Sequence, residues 1–224
     1  NDRVMYMEDY PLFGSIANIN AFALGARMIN PRVQVFLEWS SKKGVSLNDD
    51  FKLVRPSCIS TRDMVIPESE SRFFGLYHMA DDRPHSLAMP LCHWGRFYEK
   101  LIRTIINGSW KQDSPSNKAI NYWWGISSGV VDVICSKSLP IGTKRLIELL
   151  RQTICAGSFN PFSGTIHAQA GIVRGNPDGS LSPEEIVKMN WLAENVIGEI
   201  PTVDQLREHA TPVLSQQGVQ TLNP

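Results

Sequence analysis

Apolar residues along the chain fall into short runs of two periods, and the runs alternate. "RVMYME" (3–8) has strand length, and "GSIANINAFALGARMINP" (14–31) follows with Ile16, Ile19, Phe22, Ala23, Ala26 and Met28/Ile29 on a helical stripe. Asn30-Pro31 stops that helix. "RVQVFLEW" (32–39) returns to period two, with Val33, Val35 and Leu37 on one face, and "SSKKGVSLNDDF" reads as a loop entering a short helix. "PSCIST" and "FFGLYHM" are two more short strands, and "DDRPHS" is turn-rich. "HWGRFYEKLIRTIINGSW" (93–110) predicts an amphipathic helix, its apolar side built from Phe97, Leu101, Ile102, Ile105 and Ile106 and its end marked by Asn107-Gly108.

The polar, proline-containing "KQDSPSNK" (111–118) is the best boundary in the chain. Beyond it "INYWWG" and "VVDVICS" predict strands, the second long enough to be buried on both faces. A helix over 142–157 ends at Gly157, "GTIHAQ" and "GIVRG" read as a strand pair, and "NPDGS" reads as a turn. For 182–198 the signals are Ser182 as N-cap, Pro183 at the first helical position, Glu185 completing a capping box and Gly198 at the far end. A terminal helix in 202–218 is interrupted or ended near Pro212. Strand and helix alternate throughout, which implies an α/β fold of layers around a mostly parallel sheet, in two blocks.

Charge changes this picture by exclusion. Twenty-two basic residues balance twenty-two acidic ones, without the clustered positive field that a nucleic-acid groove or polybasic membrane patch requires. No apolar run approaches the roughly 20 residues that span a bilayer, and no targeting segment is read in this sequence. Cys58, Cys92, Cys135 and Cys155 are scattered without a CxxC pair, so they read as buried thiols, which points to a reducing compartment.

Candidate chemistry is sparse. Phosphate-cradling glycine loops, a GxSxG elbow and an HExxH pair are absent, so neither an enzyme nor a cofactor or metal is expected. His167 alternates with apolar residues and reads as a structural imidazole, while Asp132 sits in "VVDVICS", where a buried carboxylate needs a partner. The remaining signal is aromatic: Trp39 and Tyr77 end strands, Trp94 opens a helix, and Trp123 and Trp124 sit side by side. Ligands of open α/β sheets bind beyond the carboxyl ends of strands, and aromatic side chains there can stack on a planar ring. In an extended segment Trp123 and Trp124 leave on opposite faces.

"GSIANINAFALGARMINPRVQVFLEWS", "CHWGRFYEKLIRTIINGSW", "NYWWGISSGVVDV" and "SPEEIVKMNWLAENVIGEIP", in this order from about residue 3 to 201, resemble the basic membrane protein family. These are ABC-transporter substrate-binding proteins related to purine-nucleoside receptor lipoproteins. The resemblance implies a type I periplasmic-binding-protein-like fold, with two lobes of mostly parallel sheet that close on a ligand. Residues 1–115 would form a cleft-lining lobe, and 119–224 the returning part of the second lobe with C-terminal helices. It further implies that this second lobe is incomplete, its first half lying in an N-terminal segment of a longer parent chain.

The implied function is non-enzymatic binding of a nucleoside-like or other ring-bearing polar metabolite. The implied site starts at the helix-opening stretch with Asn18 and Phe22, where Ala21 stands in place of a family glycine. Trp39 and Asp63 follow two strands that line the cleft. Tyr77 and His78 match a G-Y-x-x-D stretch whose aspartate is displaced to Asp81. Trp94 matches the second tryptophan of a W-x-W-G motif, and Trp123, Trp124 and Gly125 match the crossing between lobes. The implied partners are a small-molecule ligand, the missing N-terminal segment and an ABC permease, with a homo-oligomer left open and no nucleic acid expected. Location stays open between the cell envelope, which the resemblance favours, and the cytoplasm, which the thiols favour. Look-alikes with an extra nuclease-like N-terminal domain imply an alternative, an intracellular ligand-sensing or regulatory module whose lobes serve as an interaction scaffold.

Overall fold

The computed structural model describes residues 2–44, 52–61, 74–80, 83–108 and 125–219. The chain divides into two compact units, one of residues 1–87 with 160–224 and the other of 88–159. The boundary read at 111–118 lies outside the described residues.

The first unit is built on β1 (Arg3–Glu8), whose side chains alternate between two cores. Val4 and Tyr6 face α1 (Ser15–Ile29) and meet Ile16, Ile19 and Ala23. Met5 points the other way and meets Ile59, Val54 and Tyr77. Parallel sheets are covered on both faces, and this two-sided burial suits such a sheet. β1 accordingly lies between β2 (Gln34–Trp39) and β3 (Ile59–Thr61), parallel to both, in register Val4↔Val35 and Met5↔Ile59. β4 (Gly75–Ala80) adds to β3 antiparallel, and β9 (Val196–Ile197) adds to β2 in parallel, giving the order β4-β3-β1-β2-β9. This is the α/β architecture with a mostly parallel sheet flanked by helix that periplasmic-binding-protein-like folds use.

Several expected elements differ. The turn-rich "DDRPHS" feeds a strand, β5 (Arg83–Cys92), which passes from one unit into the other. β7 (Ser163–His167) pairs with β8 (Val173–Ser180), and β8 absorbs the expected turn "NPDGS". A register shift at Ser163/Gly164 accommodates this, and Gly175 is needed beside it: its φ is 80°, and a Cβ would lie 2.3 Å from the Gly164 carbonyl oxygen. His167 is exposed rather than packed as a structural imidazole.

The helix expected over 182–198 is the largest correction. The capping box forms, with Ser182 and Glu185 bonding reciprocally, but the helix α4 runs only over Pro183–Val187. The chain then turns inward to bury Met189, Leu192, Ala193 and Val196. Asn20 of α1 stabilises that non-helical path, its amide donating to the Trp191 carbonyl at 2.8 Å and its oxygen accepting the Ala193 N–H at 2.8 Å. Asn195 donates back to the Ala23 carbonyl at 2.9 Å. Near the C-terminus Pro212 starts a helix, α5 (Thr211–Gln217), where the missing N–H costs nothing.

The second unit holds the end of β5 paired antiparallel with β6 (Val131–Cys135), together with α2 (Trp94–Ile106) and α3 (Ile141–Cys155). Among its described residues Val130 alone is buried. β6 is half exposed, contrary to the two-sided burial its sequence predicts. Asp132 on β6 has its partner: Arg151 of α3 donates to both carboxylate oxygens at 2.9 and 2.8 Å. All four cysteines are free; Cys58 packs half-buried against the main core as expected, whereas Cys135 is only half-buried and Cys92 and Cys155 are exposed, contrary to the core thiols expected.

Candidate functional site

The path of the first unit's chain contains a reversal of winding. From β1 it runs through α1 to β2 on one side of β1, then returns to β3 on the other side. Where the direction of winding reverses, the loops beyond neighbouring carboxyl ends separate and leave room for a ligand. Here the reversal falls between β1 and β3, whose last residues Glu8 and Thr61 are both buried. The connection 9–14 leads from Glu8 into the amino end of α1, with Gly14 at φ 90°. That helix end has no side-chain cap and no acidic residue in its first turn, so its peptide N–H groups present partial positive charge. Phe13 (43% exposed) and Asn18 stand open there.

On the other side of β1 the strand ends are closed by the chain's own 199–219 segment. The Trp39 indole N–H donates to the Glu199 carbonyl at 2.8 Å, and Lys42 pairs with the Glu199 carboxylate at 3.1 Å. The Arg207 N–H reaches the Ser41 carbonyl, and the Val219 N–H reaches that of Pro11, each at 2.9 Å. Leu206, Ala210 and Leu214 pack with Tyr10 and Leu12 beneath these bonds. Ser40 and Ser41 tie the loop after β2 back to Asp9.

The expected site residues are distributed unevenly. Phe22 lies half-buried and tilted on Tyr6, ring centroids 5.1 Å apart, one helical turn beyond Asn18. Trp39 is 2% exposed, so its ring is enclosed in the core. Tyr77 is buried with Met5 and Ile59, and burial pushes its phenol up to about 12. His78 leaves the opposite face of β4 and stacks on His85 at 5.1 Å. Trp94 is 60% exposed at the start of α2, edge-on to Phe97, and Gly125 is exposed; both belong to the second unit. Asp63, Asp81, Trp123 and Trp124 lie outside the described residues. The structure thus gathers Asn18 and Phe22 on one helix, with Trp39 buried at the end of β2 beneath Glu199.

Sequence reasoning missed Glu8, Thr61 and Phe13, although a carboxylate closing an apolar run, as in "VMYMED", is a usable signal. It also missed the closing segment 199–219. Among the described residues no group of three or more His, Cys, Asp or Glu could hold a metal ion, and no helix is long and apolar enough to cross a membrane.

No family model matches the chain. It is 23% identical over 211 residues to a purine-binding protein of Brucella abortus, an alignment covering 88% of this chain and 58% of that protein. It is also 23% identical over 220 residues to a putative ABC transporter glucose-binding protein of Haloferax volcanii, covering 90% of this chain and 51% of that one. The chain is similar to substrate-binding proteins, one of them named for an ABC transporter. It spans about half the length of the curated relatives it matches. Both relatives carry names of binding proteins, not of enzymes.

Proposed function

We propose that the chain is the ligand-holding part of a non-enzymatic receptor of the ABC substrate-binding type, for a nucleoside-like or other ring-bearing polar metabolite. The crevice at the switch point between β1 and β3 carries this reading, because an α/β sheet holds ligands there. Its chemistry suits a polar ring. Asn18 offers an amide, the amino end of α1 offers peptide N–H groups, and Phe13 offers an aromatic face. The two relatives are named for a purine and for glucose, both polar rings. Asp63 and Asp81 are the carboxylates this reading assigns to ligand hydroxyls, and Trp39 becomes a support beneath the strand ends instead of a stacking surface. A permease is the partner the reading carries.

The test is a thermal-shift and calorimetric screen of purine bases, nucleosides and hexoses. A true ligand at 100 times its Kd stabilises the protein by about 2.7 kcal/mol, and Asn18→Ala should reduce that response. Silence toward the whole panel, using the longest natural form of the polypeptide, rejects the proposal.

A second reading, the interaction scaffold, is favoured by the second unit, where α2 leaves Trp94, Ile102, Ile105 and Ile106 half or more exposed. Its occupant would be a further length of the same polypeptide, for which the longer relatives leave room. Loss of hydrogen-exchange protection in α2 on trimming the natural polypeptide to these 224 residues would support it, and unchanged protection would exclude it.

A further inference from the structure

Away from the strand-end crevice, a groove of about 650 Å³ runs between β8 and the segment that follows α4, and a second of about 330 Å³ adjoins Gln169, Ile172 and Ile200. Volumes of this order hold small molecules. Arg174, Asn190 and Trp191 line both grooves. Among the described residues none of their side-chain polar groups has a hydrogen-bond or ionic partner, an unusual state for the N–H of a half-buried tryptophan. Trp191 is nevertheless held in place. Its ring packs against the main core, and its carbonyl accepts the buried Asn20 amide at 2.8 Å.

The four charges around the first groove, Arg174, Lys188, Glu184 and Glu185, balance, but their bonding is unequal. Glu184 is taken by Lys188 at 2.5 Å, and Glu185 by the Ser182 N–H and hydroxyl at 2.8 and 2.7 Å. Among the described residues the Arg174 guanidinium makes no such bond, so its donor fork is left open to the groove. We infer that the paired grooves form a second ligand site, for a flat ring bearing an oxyanion, either a phosphate ester or a carboxylate. The ring lies against the Trp191 indole, and the oxyanion takes the two parallel N–H bonds that a guanidinium fork offers. Asn190 and the indole N–H serve the polar edge of the ring. This site shares no residue with the crevice of the proposed function and does not depend on it.

The probes are adenosine 5′-monophosphate against adenosine, nicotinate against nicotinamide, and inorganic phosphate alone, titrated calorimetrically into the full chain. The charged member of at least one pair should bind more tightly than its neutral partner. Arg174→Gln should weaken it about tenfold or more. The melting point of the unliganded variant should be unchanged, since Arg174 is exposed, and Trp191→Phe should weaken binding with the fold retained. Asn18→Ala should leave this binding intact. Phosphate binding as tightly as either ring compound would mean an adventitious anion only, and overturns the inference. So does equal affinity for charged and neutral partners, indifference to Arg174→Gln, or no binding of either charged probe. Adenosine binding that Asn18→Ala abolishes would support the strand-end receptor alone.

Discussion

Helices α1, apolar over most of its circumference, and α2, apolar along one stripe, end in opposite environments. Ile16, Ile19 and Ala23 of α1 are wholly buried against β1 and β2, whereas on α2 Ile102 and Ile105 are about half exposed and Ile106 is 75% exposed. Both sets of apolar positions satisfy the same helical periodicity. The difference lies in what the fold supplies opposite each face. α1 has a three-stranded parallel sheet and the inward-turned 189–196 segment over it. In the second unit neither α2 nor α3 has a buried residue. A periodic stripe reports which side of a helix avoids water; it does not report that a covering exists.

The sharpest way to break this comparison is to truncate matched isoleucines. Ile19→Ala opens a cavity in a closed core and should cost about 2–5 kcal/mol in urea unfolding. Ile105→Ala should stay within about 0.5 kcal/mol, as exposed substitutions do. Equal costs would show that α2 is covered in solution.

Asn20→Ala should come next, at about 2–3 kcal/mol, because the Ala193 N–H and Trp191 carbonyl lose their partner inside the first unit. Hydrogen exchange should show 189–196 deprotected and α3 untouched. Uniform loss of protection would mean the units do not unfold separately.

The remaining effects are in pH dependence, and they have opposite signs in the two units. Burial raises Tyr77 to about 12, so the stability tied to its neutral phenol is complete below the ordinary tyrosine range near 10 and is lost as pH climbs toward 12. Tyr77→Phe should flatten that alkaline limb. In the second unit the Val133 N–H, then Arg151, hold the Asp132 carboxyl below its usual range. Its contribution is complete above the ordinary carboxylate range and is lost as pH falls through the depressed value. Asp132→Asn should remove that acid sensitivity from exchange in α3. An acid limb that persists in the variant would assign it to other carboxylates.

Much of the first unit was legible. β1, α1 and β2 stand where their apolar periods predict, because those periods match the faces the sheet buries. The capping box at Ser182 was legible too, since it is made of residues three apart. What followed was not. Local signals favour helix through 198, but Met189, Leu192 and Val196 gain more by entering the core, and Asn20, some 170 positions earlier, supplies the bonds a helix would have made. The site divides in the same way. Asn18 and Phe22 were readable from one helix, whereas the Glu8–Thr61 switch point needed the strand order, and the enclosure of Trp39 needed Glu199.

The sequence by itself determined the strand–helix–strand start of the first unit, the capping box at Ser182, the balanced charge and the similarity to substrate-binding proteins. These rest on contacts and spacings a few residues long. Only the tertiary structure decided which apolar faces are covered, where the winding reverses, and that Arg174 and Trp191 share a groove with unspent donors. Each of those is settled by residues distant in the chain competing for the same space, a competition that no local period records.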